Sequence, residues 1–98
     1  MTLIALTEAA GALPQSWKSQ VLARFGDANL KVVRMDEAAY TDECHDYPEG
    51  LLVLDGQMLL EIGGEVVRVG AGELYVVPAG VPHAVAAGSC GTLLILDT

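Results

Sequence analysis

Positive charge is scarce in this sequence. Five Lys and Arg face thirteen Asp and Glu in 98 residues, a formal net charge of −8. Nucleic acid and anionic membrane surfaces are bound through basic patches, and a chain this acidic offers none. Long hydrophobic runs are missing too. No stretch of about 18 uncharged apolar residues exists, which excludes a spanning helix. The opening Met1-Thr2-Leu3-Ile4-Ala5-Leu6 lacks a basic flank and Glu8 follows closely, so it does not read as a secretory signal. The two cysteines, Cys44 and Cys90, are accordingly expected to be reduced in a cytoplasmic protein. No Ser-His-Asp order, phosphate-binding glycine loop or Cys-x-x-Cys pair occurs.

What is present is apolar. Such residues make up 52% of the chain, too many for intrinsic disorder. The length predicts a single domain over residues 1–98. Leu13 to Gln20, with Pro14 at a first helical position, predicts a short N-terminal helical turn. Val21–Phe25 and Leu30–Met35 read as strands joined by Gly26-Asp27-Ala28-Asn29. Leu51–Leu54, Met58–Ile62, Glu65–Val69, Glu73–Val77, Ala84–Ala87 and Thr92–Leu96 follow as further short strands. Asp55-Gly56 and Gly63-Gly64 both carry the signal of a two-residue hairpin, and Gly88-Ser89-Cys90-Gly91 reads as a turn. Strands this short, with turns between them, predict an all-β fold, a sandwich or a small antiparallel β-barrel. Several strands are apolar on both faces. One face then needs cover beyond the chain's own core, and a homodimer supplies it.

Histidine is rare, with only His45 and His83. Residues two apart on a strand share a face, so Glu43 and His45 project together. Glu49 lies four residues beyond His45. No Lys or Arg occurs between Arg34 and Arg68, a stretch that holds nine acids. Most of these acids read as a solvated face, and a few as a cation site. Imidazole and carboxylate from two strands can hold a divalent metal with open positions. Cys44 alternates with His45 and is expected to face away from that site and pack as a small hydrophobe. Trp17, Tyr40, Tyr47 and Tyr75 either line a pocket or simply pack.

The spacing carries a resemblance. His45-Asp46-Tyr47-Pro48-Glu49, six residues and then Gly56 resembles the first motif of the cupin superfamily, G-x5-H-x-H-x(3,4)-E-x6-G. Gly72, Pro78, Gly80 and His83 fall without a gap on the second, G-x5-P-x-G-x2-H-x3-N, with Ala87 in place of the Asn. Motif one covers about 43–56 and motif two 72–87. Glu43 stands where the family has its first histidine, and Glu37 where it has a glycine. A four-residue spacer would instead place Asp42 and Cys44 on the histidine positions. The three-residue spacer is preferred because it uses His45.

The resemblance implies a double-stranded β-helix, the jelly-roll cupin barrel. It implies a metal site of His45, Glu49 and His83, with Glu43 as the fourth ligand. Two imidazoles and two carboxylates suit Fe²⁺, Mn²⁺, Zn²⁺ or Ni²⁺. It further implies a small-molecule ligand in the barrel and allows dioxygenase, isomerase or decarboxylase chemistry. The alternative is a metal-free, non-catalytic ligand-binding or sensor module.

Overall fold

The computed structural model describes residues 2–98 and, within them, every side chain but that of Asp42. Among the described residues a single short helix, α1 (Leu6–Gly11), precedes eight strands. These are β1 (Gln20–Phe25), β2 (Ala28–Asp36), β3 (Tyr40–Glu43) and β4 (Glu49–Ile62), followed by β5 (Glu65–Gly70), β6 (Leu74–Val77), β7 (His83–Val85) and β8 (Cys90–Asp97). All pairings are antiparallel. Five pairings link β1-β2-β8-β4-β7-β3 into one row, and β5 and β6 add to β4. The result is the curled antiparallel sheet of a jelly roll.

Strand alternation divides this sheet into two faces. Val33 pairs with Leu93, which pairs with Val53, and all three point inward. Met35, Leu51, Met58, Leu60, Val69, Val77 and Val85 complete the inner core. The intervening residues Val32 and Leu94, with Leu30, Leu52 and Leu54, form a second cluster on the outer face. There α1 and the segment after it supply the cover through Leu6, Ala9, Ala10 and Leu13.

No side chain caps the start of α1. Its anchor comes from the sheet: Arg34, facing outward on β2, donates from Nη1 to the Ala10 and Leu13 carbonyls at 2.8 and 3.1 Å. Ala10 is among the last four residues of α1, whose carbonyls a helix C-terminus leaves without intrahelical partners, and Leu13 follows just beyond the cap. The predicted helical turn at 13–20 is thus corrected. The helix lies earlier, and the segment from Pro14 to Trp17 is a bend and turn.

The Asp55-Gly56 hairpin is a second correction. β4 runs unbroken through this dipeptide, and of the two glycine dipeptides Gly63-Gly64 alone is a hairpin turn. Val53 pairs with Leu93 and Asp55 with Thr92, so β4 carries one extra residue there, a β-bulge. The bulge shifts the inward positions from Leu51 and Val53 to Met58 and Leu60. A change of neighbours follows it: β4 lies between β6 and β8 before the bulge, keeps β8 as far as Gln57, and then runs against β5 and β7. Gly56 adopts φ +74°, and a Cβ there would sit 2.0 Å from the Cys90 carbonyl oxygen. No other residue fits that close approach. Cys90, read as part of a turn, begins β8.

Candidate metal centre and its pocket

Two loops bring the candidate ligands together. Glu43 ends β3, Glu49 begins β4, and His45 lies on the link between them. His83 begins β7, after a loop in which Pro78 follows the last residue of β6 and Gly80 takes φ +77°. Gly80 N–H donates to the His45 carbonyl at 2.6 Å, tying one loop to the other. Glu43 and His83 are also direct cross-strand partners.

One ligand atom from each of Glu43, His45, Glu49 and His83 lies within 4.8 Å of the other three. His83 Nε2 is 3.1 Å from Glu49 Oε1 and 4.0 Å from Glu43 Oε2. His45 Nε2 is 3.3 Å from Glu43 Oε2 and 3.5 Å from Glu49 Oε2. Glu49 and His83 are buried at 5% and 6% exposure, whereas Glu43 and His45 stand at the open side. Each carboxylate therefore faces both imidazoles. Separations of this size suit donors that share one ion at about 2.0–2.2 Å.

The hydrogen-bond inventory of His83 supports that fit. Its Nδ1 lies 3.0 Å from the Val81 carbonyl and its Nε2 faces Glu49. A neutral imidazole has one N–H, and here two acceptors flank the ring. When Nδ1–H donates to Val81, Nε2 presents a lone pair toward the carboxylates, the arrangement a metal-ligating histidine uses. A cation between Nε2 and the carboxylates turns that opposition into coordination.

The site opens into a cavity of about 130 Å³ lined by both polar and core residues. Trp17, Tyr40 and Tyr47 are among its walls, while Tyr75 packs against the inner core instead. Tyr47 stacks on His45 with ring centroids 4.9 Å apart, and Trp17 stacks on Tyr40 at 5.4 Å. Trp17 holds φ 65°, a backbone conformation that costs a non-glycine residue about 1–3 kcal/mol. Its backbone N–H donates to the Arg34 carbonyl at 2.9 Å, and its indole Nε1–H donates to Asp36. Partial burial, reinforced by the Asp97 and Glu49 carboxylates, raises the Tyr47 phenol above its ordinary pKa. A larger, open groove of about 560 Å³ runs between the Gly63-Gly64 turn and Val81-Pro82. It shares only His83 with the four-residue cluster.

Two charged pocket residues escaped the sequence reading, Lys31 and Asp97. Lys31 Nζ lies 2.6 Å from Asp97 Oδ2, and Asn29 Nδ2 donates to Asp97 Oδ1 at 3.1 Å. The hydrogen bond to Asp97 raises the Lys31 pKa above its ordinary value. Their signal was parity: Lys31 is in phase with Val33 and Met35, and Asp97 with Ile95 and Leu93. A charge in phase with a core face marks the place where that core stops. The alternative ligand Cys44 is exposed, so it does not pack as a small hydrophobe as expected. Asp42, its companion in the four-residue spacer, has a side chain outside the described residues.

Comparison with known proteins completes the picture. A cupin-2 domain protein of Shewanella frigidimarina shares 26% identity and superposes with a TM-score of 0.88, over 97% of this chain and 93% of that one. A Neisseria meningitidis protein is 22% identical, with a TM-score of 0.83 over 98% of both chains. A Thermus thermophilus protein is 20% identical, with a TM-score of 0.80 over 98% and 95%. A search of curated proteins finds no match. The cupin domain family matches residues 32–98, a span that includes both motifs. With two thirds of its length matched and its fold shared throughout, this chain belongs to the cupin domain family.

Proposed function

We propose that this cupin binds one divalent metal ion through Glu43, His45, Glu49 and His83 and holds a small organic ligand in the adjoining pocket. The observation that carries this reading is the convergence of two imidazoles and two carboxylates within 4.8 Å. A mixed nitrogen and oxygen set suits Fe²⁺, Mn²⁺, Zn²⁺ or Ni²⁺. Bound there, the ion supplies Lewis acidity toward an oxygen atom of the ligand. Glu49 and His83 are the buried half of the set and fix its position. Glu43 and His45 are the accessible half, beside the ligand's path. Trp17, Tyr40 and Tyr47 give the pocket flat apolar walls.

Calorimetric titration of metal-free protein with Mn²⁺, Zn²⁺ and Ni²⁺ tests the reading. One ion per chain is expected. Glu43→Ala weakens every metal, and Glu43→His shifts preference toward Zn²⁺ and Ni²⁺ over Mn²⁺. No binding at millimolar metal overturns the proposal and leaves the metal-free ligand-binding module. Equal affinities in all three proteins remove Glu43 from the set.

The same reading includes a homodimer of this chain. Leu74, Val76 and Leu96 are 52%, 57% and 40% exposed. They surround Gly50: Val76 and Leu96 pair with it directly, and Leu74 pairs with Leu52 beside it. This outer-face patch is uncharged in a chain of net charge −8, and a second copy presents the same patch. Light scattering is expected to give twice 10.3 kDa, and Val76→Lys to halve the measured mass. A monomer across micromolar concentrations removes this part.

A further inference from the structure

We infer that the pocket's ligand is a small organic carboxylate and that Lys31 selects it. This rests on the metal-site reading above. Lys31 and Asp97 line the same cavity as Glu43, His45, Glu49 and His83. Among the described residues lining that cavity, Lys31 is the one Lys or Arg. Its side chain is 25% exposed, whereas that of Asp97 is 3% exposed. An ammonium group has three N–H donors, and Asp97 takes one of them. Asn29 holds the other oxygen of the same carboxylate, so Asp97 is a fixed support. The free donors of Lys31 are left to the cavity.

Packing gives no reason for this pair. Positions 31 and 97 continue the inward rows of Val33 and Ile95, where apolar residues would extend the core. Burying an ion pair contributes little to stability compared with apolar residues of similar volume. Recognition does account for it. The cavity holds three carboxylates, Glu43, Glu49 and Asp97, against one ammonium, Lys31. It repels anions until a divalent cation offsets the remaining two negative charges. Once that ion is present, a carboxylate can meet the metal with one group and the Lys31 ammonium with another. A cavity of about 130 Å³ restricts the ligand to a small acid.

The experiment uses the full chain with Mn²⁺, first alone and then with pyruvate, malonate or succinate. Malonamide and succinamide serve as uncharged controls. At least one acid is expected to bind the Mn²⁺-loaded protein, with the amides and the metal-free protein at least about tenfold weaker. Lys31→Met is expected to weaken that acid about tenfold or more, while Mn²⁺ affinity rises because a cation has left the cavity. Lys31→Met leaves the buried Asp97 carboxylate without its cation, with Asn29 as its remaining partner. The double variant Lys31→Met/Asp97→Asn, checked by its thermal melt, covers the case in which the single variant does not fold, and it predicts the same loss of acid binding. If Mn²⁺ itself fails to bind, the metal-site reading falls and this inference with it. If Mn²⁺ binds but no acid does, or the acids bind both variants as tightly as wild type, the inference falls and the metal site stands.

Discussion

The two ends of the barrel interior differ, although the same three strands build both. At one end the inward residues of β2, β8 and β4 are Lys31, Asp97 and Glu49. At the other they are Met35, Leu93 and Val53. Between them the rows pass through Val33, Ile95 and Leu51. Backbone geometry is common to the two ends, since one alternation sets all nine positions. What changes is how burial is made tolerable. The apolar end gains from leaving water, by about 25 cal/mol per Å² of apolar surface. At the polar end each buried group needs a partner, and each has one: Asp97 has Lys31 and Asn29, and Glu49 has His83. A core that stops short of the mouth leaves room for chemistry there without loosening the fold.

The largest effect expected from breaking this division lies at the apolar end. Met35 is buried in the inner cluster at that end. Met35→Ala should cost about 3 kcal/mol of unfolding free energy, from lost transfer energy and the cavity left behind. Urea unfolding measures it. Metal affinity of the molecules that remain folded should stay at the wild-type level. A metal affinity that falls in step with stability would show that the two ends are not separable.

Next in size is the converse substitution at the mouth. His83→Ala removes one of the two buried members of the proposed ligand set and the partner of Glu49. Metal affinity should fall by more than about 100-fold, a loss of about 2.7 kcal/mol of binding. The stabilisation that saturating metal gives the wild type should fall with it, because a ligand bound only to the folded state stabilises by mass action. Thermal melts with and without Mn²⁺ read this directly. An equal metal-induced shift in both proteins would place the ion elsewhere.

The two ends were also unequally legible in the sequence. His45, Glu49 and His83 could be read because loop spacing is local and the resemblance fixes it. Lys31 and Asp97 could not, because each meets the pocket only through pairings distant along the chain. β2 must lie beside β8, and β8 beside β4, before Lys31, Asp97 and Glu49 share an end. The strand rhythm was readable for the same local reason as the motifs. It failed at Asp55-Gly56, since a glycine at positive φ suits both a turn and a bulge. What decides between them is the approach of Cys90 and Gly91 from β8. It failed again at α1, whose start carries no capping side chain and whose end is held by Arg34 from β2.

The smallest effect concerns the pair at the mouth and its pH dependence. The Asp97 hydrogen bond raises the Lys31 pKa in the folded state above the ordinary 10.5. The folded protein thus holds this proton more tightly than the unfolded chain. The pair's contribution is fully present below the unfolded value and is lost as pH rises through the raised folded value. Part of the Lys31 side chain reaches solvent, so the effect should not exceed about 1 kcal/mol. Urea midpoints between about pH 9 and pH 11.5 should therefore fall in the wild type. The Tyr47 phenol, also raised, adds a loss of the same sign. Lys31→Arg separates the two, because a guanidinium stays charged across this range and Tyr47 is left in place. The variant should lose less stability than the wild type over the same interval. Parallel curves for the two proteins would mean that the Lys31–Asp97 pair adds nothing to the fold.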